Sequence, residues 1–317
     1  MTKLVRPVIL GIKGSRISKK EYFLFKKYPP LGYIIFSRNI ENFSQLKNLI
    51  TELRSINDYK NTLIMIDHEG GRVNRFSKFF SQSKYSAKNF GLTYENNKKE
   101  FFKNLNKFIN FNSNLFNYLG INLVAAPTLD LFYKNKSDVI GDRSYSSKVE
   151  VVQAIGKLVI DMYKKKKILT IAKHVPGHGL STEDSHFYLP VIKNKLSFLK
   201  KNDLACFRNV KSNFLMTAHI VYEGIDKNNP ATLSKKLINE LIRKQLNFKG
   251  LLMSDDICMK ALKGSAQTLA NKCFAAGCDI VLHCNGDYNQ MLSLLESVRP
   301  ASSSLLAKII KLFNYTR

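Results

Sequence analysis

The chain has 317 residues, and 44% of them are hydrophobic, so it can bury a full core and is not a disordered chain. Its net charge of +26 comes from 50 Lys and Arg against 24 Asp and Glu, spread along the chain and not interleaved with aromatic residues. This argues against a specific nucleic-acid partner. No segment approaches the roughly 18 apolar residues of a membrane span, so no membrane partner is expected either.

Eight short apolar runs recur along the chain, each followed by a helical pattern. We predict strands at 7–11, 33–36, 63–66, 122–126, 169–172, 214–217, 251–253 and 279–282. Helices are predicted at 19–27, 43–55, 98–118, 150–165, 197–210, 234–245 and 266–276, with a last pair at 289–298 and 304–313. The strands are continuously apolar and do not alternate, which is typical of a parallel sheet covered on both faces.

Eight βα units in one chain predict an α/β fold, a single (β/α)8 barrel of the TIM type. A doubly wound open sheet is the alternative, but the residues Gly11–Gly14 lack the Gly-rich phosphate turn that usually opens such a sheet. No change in composition and no Pro/Ser-rich linker divides the chain. We therefore expect one catalytic domain over residues 1–317.

The cysteines indicate the compartment. There are five of them, an odd number without a framework of pairs: Cys206, Cys258, Cys273, Cys278 and Cys284. Reduced thiols in a cytosolic protein are the expected state. The apolar run Val8–Leu10 is too short for a signal peptide. We therefore expect a cytoplasmic protein.

All six histidines lie at or just beyond the carboxyl ends of predicted strands, and none lies on a predicted helix. In a barrel these ends share one face, where catalytic groups gather. Polar residues that merely mark the ends of strands would explain the acids there, but not the absence of histidine from every helix. The sequence therefore predicts the active site at this face.

The first motif runs from Asp67 to Phe76. Asp67 and Glu69 leave a buried strand, and two glycines then allow a sharp turn. An ionised carboxylate offers only acceptor lone pairs, so it suits the hydroxyl groups of a sugar. The structural alternative is that one acid pairs with Arg72 to hold the loop. Both interpretations hold if Asp67 is exposed to a sugar and Glu69 has the structural role.

The second motif, Lys173–His186, contains three histidines, His174, His178 and His186. Asp184 lies two residues before His186, and an acid next to a histidine fixes its tautomer and favours its protonated form, which suits general acid/base catalysis. A metal site is the alternative. A helical His-x-x-x-His pair is excluded here by Pro176 and Gly177, so we expect no metal.

The third motif, Gly250–Asp256, is an apolar strand that delivers two acids to the barrel mouth. A carboxylate facing a central cavity is a good covalent nucleophile toward an anomeric carbon. The structural alternative is that both acids cap the following helix. We expect Asp256 to serve as a cap and Asp255 to remain free for chemistry.

Together with Asp142–Tyr145, these motifs resemble, in order and over almost the whole chain, the single-domain β-N-acetylhexosaminidases of glycoside hydrolase family three, which are bacterial cytosolic enzymes of peptidoglycan recycling. The resemblance implies a (β/α)8 barrel that retains anomeric configuration through a glycosyl-enzyme intermediate, without a cofactor. It implies that Asp255 is the nucleophile and that His186 is the acid/base with Asp184 as its partner. The residues expected to hold the N-acetylglucosamine ring are Asp67, Arg75, Arg143, Lys173 and His174.

Some positions depart from the family pattern. His68 stands where Gln is common, Val175 where Phe is common, and Cys258 and Lys260 replace a Ser and a Glu. None removes a predicted chemical role, but His68 is expected to affect groups beyond the first sugar. The expected substrates are N-acetylglucosamine-containing muropeptides or disaccharides, bound by a monomer. A phosphorylase, in which phosphate takes the place of water, and a basic nucleic-acid binder remain as alternatives.

Overall fold

The computed structural model describes residues 4–56, 59–136 and 138–316. Its strands are β1 (Arg6–Gly11), β2 (Pro30–Ile35), β3 (Leu63–Ile66), β4 (Leu123–Val124), β5 (Leu169–Val175), β6 (Val191–Ile192), β7 (Phe214–Thr217), β8 (Val221–Tyr222), β9 (Asp226–Pro230), β10 (Leu251–Asp256) and β11 (Ile280–His283). Its α-helices are α1 (Lys19–Lys27), α2 (Phe43–Ser55), α3 (Ala87–Asn96), α4 (Lys98–Leu119), α5 (Val149–Lys165), α6 (Leu196–Lys201), α7 (Lys235–Leu237), α8 (Ala266–Ala276), α9 (Tyr288–Ser297) and α10 (Ser303–Thr316).

Eight of these strands close into a barrel in the order β1-β11-β10-β7-β5-β4-β3-β2, and every neighbouring pair is parallel. The predicted (β/α)8 fold is therefore confirmed, and all eight predicted strands lie in the barrel. Because the strands are parallel, their carboxyl ends meet at one mouth. The remaining strands, β6, β8 and β9, form a small separate sheet beside that mouth.

The continuous apolar runs are explained by burial on both sides of the barrel. In β1, Val8 and Leu10 pack into the layer between strands and helices, whereas Ile9 packs into a second cluster inside the barrel. Helix α10 adds Leu305 and Ile309 to this inner cluster, so it covers the end opposite the mouth. A strand buried on both faces needs apolar residues at consecutive positions.

Helix α4 shows how a helix is fixed against the barrel. Asn97 caps its first turn by accepting a hydrogen bond from the backbone of Glu100, and Gly120 ends it with a left-handed φ of 84°. Its buried residues recur every three or four positions and include Phe101, Leu105 and Phe108. Among the described residues no helix has the length and apolarity required to cross a membrane.

The sequence missed several elements. The helix predicted at 197–210 ends at Lys201, because Asn202 leaves helical geometry and residues 203–207 turn into the interior as a 3₁₀-helix in which all five are buried. Residues 238–245 of the helix predicted at 234–245 are a π-helix. Helix α3 was not predicted. The small sheet was not predicted either. Its strands β6 and β8 are only two residues long and β9 is mostly polar, so none of them forms an apolar run of strand length.

Helix α3 makes a very close approach at Gly91. A Cβ atom at this position would lie 1.5 Å from the carbonyl oxygen of Tyr145, next to the segment that carries Arg143. We expect Gly91→Ala to lower the free energy of unfolding by about 1–3 kcal/mol or more, since backbone must move to admit the methyl group. Gly14→Ala is the matched control, because nothing lies within 4 Å of its added Cβ. Equal denaturant midpoints for the two variants would contradict this packing.

Candidate active site

Strand β5 carries the first polar groups to the barrel mouth. All seven of its residues are buried, including Lys173 and His174 at its carboxyl end. Its pairing with β7 shifts register between Lys173 and Val175, and the chain then leaves the barrel at Pro176. The strand therefore ends with two polar side chains that need partners inside the protein.

Lys173 finds two carboxylates. Its ammonium group lies 2.6 Å from Asp67 Oδ1 and 2.6 Å from Glu69 Oε1, and only 3% of its side chain is exposed. Burial alone would lower the pKa of Lys173, but the two carboxylates outweigh it and raise the pKa. Lys173 is therefore charged at neutral pH.

Two arginines complete this charge network. Arg143 binds both oxygens of Glu69, through Nε at 2.9 Å and Nη2 at 2.7 Å, and Arg75 forms an ion pair with Asp67. Burial alone would raise the pKa of each acid. The neighbouring cations prevail, so the pKa of Glu69 falls to about 2 and that of Asp67 falls well below its usual range. Both acids are ionised and act as acceptors.

Asp130 holds the next part of the site. Its Oδ2 lies 2.7 Å from His174 Nδ1, and its Oδ1 accepts hydrogen bonds from the backbone N–H groups of His174 and His178. A carboxylate at Nδ1 fixes the proton there, so Nε2 of His174 is left for the cavity that this residue lines. One buried acid thus orients a side chain and anchors the start of the following loop.

Asp255 lies at the end of β10, half-buried. Its Oδ1 accepts a 2.8 Å hydrogen bond from the backbone N–H of Asp256. Burial alone would raise the pKa of Asp255, but the nearby His219 and His174 rings help to lower it below its ordinary value. The carboxylate is therefore ionised at neutral pH, as a nucleophile must be.

Asp256, unlike Asp255, forms hydrogen bonds with the backbone after two barrel strands. Its Oδ1 accepts hydrogen bonds from the backbone N–H groups of Cys258 and Cys284, each 3.0 Å long. No helix begins directly after it, so the expected helix cap is wrong, although the side chain does face structural partners. The two consecutive acids thus have different surroundings, as predicted.

Asp184 and His186 form a pair at the far end of the loop. His186 Nδ1 lies 2.7 Å from Asp184 Oδ1, and the same oxygen accepts the backbone N–H of His186 at 2.8 Å. The side chain of His186 is 60% exposed, and it lines the cavity. The hydrogen bond at Nδ1 leaves Nε2 as the atom that can exchange a proton with a bound molecule.

These groups surround one cavity of about 200 Å³ at the barrel mouth. All the expected site residues except Asp184 line it: Asp67, Arg75, Arg143, Lys173, His174, His186 and Asp255. This volume is below the roughly 300–1,000 Å³ of typical drug-sized pockets, which suits a single sugar unit. The arrangement offers fixed donors and acceptors, an ionised carboxylate and a proton carrier.

The structure corrects two sequence interpretations. Neither acid of the first motif pairs with Arg72, which instead binds Asp142 at 2.9 Å. His68 does not line the cavity: it is fully buried, bonds Gln82 at 2.8 Å and lies beside the ring of Phe76. Burial lowers the pKa of His68 to about 4. It is a neutral core residue that accepts a 3.3 Å hydrogen bond from the backbone N–H of Arg75, so an effect on groups beyond the first sugar would act through Arg75 and not by direct contact.

Of the six histidines, His174, His178 and His186 line the cavity. His219 lies behind it, 2.9 Å from the carbonyl oxygen of Asp256, and His283 bonds Gln290. The strand-end pattern therefore locates the mouth but does not separate cavity residues from supporting ones. No group of three or more metal-binding side chains occurs in the described part of the chain.

Sequence reasoning gave no role to Asp203, which supports the loop from outside the cavity. It is buried, and a Cβ atom on Gly177 would lie 2.5 Å from its own Cβ. Its Oδ2 accepts a 2.9 Å hydrogen bond from the hydroxyl group of Tyr133, and burial raises its pKa to about 7. No sequence signal distinguished this residue, since it falls within a predicted helix.

Comparison with known proteins identifies the family to which the chain belongs. The model of the glycosyl hydrolase family 3 N-terminal domain matches residues 8–312. A β-hexosaminidase of Hydrogenovibrio crunogenus is 35% identical over 259 residues, which cover 80% of this chain and 71% of the relative. One of Neisseria meningitidis is 33% identical over 286 residues, covering 88% and 78%. The chain belongs to glycosyl hydrolase family 3, so it is a glycoside hydrolase.

Solved structures agree with this family. Native NagZ from Neisseria gonorrhoeae superposes with a TM-score of 0.82 at 27% identity, covering 100% of this chain and 99% of that one. A family 3 β-N-acetylglucosaminidase from Paenibacillus gives 0.84 at 26% identity, and this chain spans 61% of its length. Within the family, the similarity is thus to β-hexosaminidases. Membership of an enzyme family leaves the nucleic-acid-binding alternative without support.

Replacing Lys173, the cation between Asp67 and Glu69, should destabilise the folded protein. Lys173→Met leaves two buried carboxylates short of a partner, and we expect the free energy of unfolding to fall by about 3–5 kcal/mol in denaturant titrations. Lys148→Met is the control, because Lys148 forms an ion pair with Glu95 but lies at the surface. It should leave the midpoint almost unchanged. An unchanged midpoint for Lys173→Met would contradict the structural role of the network.

Asp203 should make stability depend on pH. Its raised pKa means that the folded chain holds this proton more tightly than the unfolded chain, so the stabilisation is fully present below about pH 4 and is lost as pH rises through about 7. We expect Asp203→Asn to reduce the loss of thermal stability between pH 5 and pH 8. Glu52→Gln, at an exposed site on α2, should retain the wild-type pH dependence. Parallel curves for wild type and Asp203→Asn would overturn this assignment.

Proposed function

We propose that this protein is a retaining β-N-acetylhexosaminidase that releases terminal non-reducing N-acetylglucosamine from peptidoglycan-derived glycosides. The observation that carries the proposal is that the ionised Asp255 and His186, which is hydrogen-bonded to Asp184, line one sugar-sized cavity. Similarity to β-hexosaminidases supports the substrate class. So does a NagZ structure from Neisseria gonorrhoeae, solved in complex with N-trifluoroacetyl-D-glucosamine, to which this chain is 27% identical.

The sugar ring is held by the charge network. Asp67 accepts hydrogen bonds from hydroxyl groups, while Arg75, Arg143 and Lys173 donate to ring substituents. His174 presents Nε2 because Asp130 occupies its Nδ1. These side chains are already locked by one another, so little conformational entropy is lost when the sugar binds. This fixes the anomeric carbon relative to the nucleophile.

The reaction proceeds in two displacements. An Asp255 oxygen attacks the anomeric carbon while the bond to the leaving oxygen breaks, and His186 gives its Nε2 proton to that oxygen. A water molecule then gives a proton to the neutral His186 and attacks the same carbon, which frees Asp255. The Asp184 carboxylate stabilises the imidazolium form needed in the first displacement. The anomeric configuration is inverted twice and hence retained.

We propose that residues 1–317 form one catalytic barrel domain, active as a monomer in the cytoplasm and without a cofactor. The five cysteines support the compartment, because all of them are free and all but Cys258 are buried. His186, the proposed acid/base group, lies on a loop of the barrel itself and lines the cavity, which supports a site formed by this barrel.

The nucleophile can be tested directly. We expect Asp255→Asn to abolish turnover of 4-nitrophenyl β-N-acetylglucosaminide, because the amide cannot attack the anomeric carbon. Wild-type turnover should not require phosphate, and proton NMR should show the β-anomer as the first product. Full activity of Asp255→Asn would refute the assignment, and dependence on phosphate would identify a phosphorylase. The matched variant Asp138→Asn, at an exposed site, should stay active.

A further inference from the structure

The segment that carries the acid/base pair is open to solvent except at one residue. Residues 182–189 are exposed or half-buried apart from Ser185, of which 2% is exposed. Ser185 lies between Asp184 and His186, so the pair flanks the one side chain that turns inward. The contacts of Ser185 therefore bear on the position of the pair.

Ser185 contacts His178. Its Oγ lies 3.0 Å from His178 Nε2, and His178 is itself buried, with 2% of its surface exposed. The backbone N–H of His178 is bonded to Asp130 Oδ1 at 2.7 Å. A continuous chain of hydrogen bonds therefore connects the barrel, through Asp130 and His178, to the residue between the two members of the acid/base pair.

A second contact holds the other side of the loop. The backbone N–H of Lys260 donates to the carbonyl oxygen of His186 at 3.2 Å. Lys260 follows β10, the strand that carries Asp255, so this bond links the segment of the proton carrier to the segment of the nucleophile. Besides the Ser185 contact, the exposed segment is held from the barrel side by this backbone bond and by the Lys260 ammonium group, which lies 5.5 Å from the centre of the Phe187 ring.

We propose that His178 is a positioning residue that holds the Asp184–His186 pair over the cavity through Ser185. The inference rests on the proposed function. His178 stays neutral, since burial lowers its pKa to about 4, so its bond to Ser185 persists over the pH range in which a histidine proton carrier works. Its Nδ1 is buried and has no partner among the described residues, so the contact of Nε2 with Ser185 is the one hydrogen bond of the ring within this part of the chain.

The test uses two substrates that differ in their need for an acid. The leaving group of 2,4-dinitrophenyl β-N-acetylglucosaminide departs without protonation, whereas that of diacetylchitobiose requires it. We expect His178→Ala and Ser185→Ala to lower kcat/KM for diacetylchitobiose by up to about 100-fold, the effect of roughly 1 Å of misplacement. The dinitrophenyl substrate should be little affected. A loss of fold would lower both values together.

Conservative variants and a double mutant complete the design. Ser185→Thr keeps a hydroxyl group and His178→Gln keeps a polar atom near Nε2, so both should restore much of the activity on diacetylchitobiose. In a His186→Ala background, His178→Ala should lower kcat/KM no further, because the imidazole that His178 is proposed to position is then absent. His283→Ala is the control: it removes another buried histidine whose Nδ1 has no partner among the described residues and which does not line the cavity.

The outcomes separate the two proposals. A wild-type protein inactive on both substrates would refute the proposed function. A wild type that is active, with a leaving-group-dependent loss in His186→Ala, would support that function. If His178→Ala then lowered kcat/KM equally for both substrates, or added its full effect to that of His186→Ala, the positioning role would be overturned and the proposed function would stand.

Discussion

The active site depends on one buried ammonium group. Lys173 lies between Asp67 and Glu69 at the end of a strand that is buried along its whole length. Two carboxylates this close would repel each other in a medium of low polarity, which would raise the pKa of at least one of them, and the cation between them offsets this repulsion. Arg75 and Arg143 close the network from the outer side. A rigid, charged rim of acceptors and donors results, on which a polar ring can be held without rearrangement.

The two catalytic groups are supported differently, in keeping with their tasks. Asp255 sits on a barrel strand, and a backbone N–H fixes one of its oxygens. A nucleophile must attack one atom from one direction, so a rigid position suits it. His186 sits on the exposed part of a loop that leaves the barrel at Pro176. A proton carrier on a loop can admit the substrate and still return to position, provided that an interaction such as the one between His178 and Ser185 fixes that position.

Much of the fold could be predicted because burial on both faces demands apolar residues at consecutive positions. The eight barrel strands and helices such as α1, α2 and α8 follow from such runs and from helical periodicity. Helix α3 and the break after Lys201 could not be predicted this way. The first has weak helix formers such as Gly91 and Thr93, and the second turns inward where the pattern still looks helical. In both cases packing against neighbours decides the local structure.

For the site, the sequence alone determined which residues stand at strand ends and that Asp184 lies two positions from His186, because both are matters of order along the chain. Only the tertiary structure decided which partner each charge takes: Glu69 binds Arg143 and not Arg72, and His68 belongs to the core and not to the cavity. It alone revealed the roles of Asp130, Asp203 and the His178–Ser185 contact. Residues far apart in sequence meet only when the barrel closes, and the choice among several nearby partners depends on distances of a few ångströms that a linear pattern does not contain.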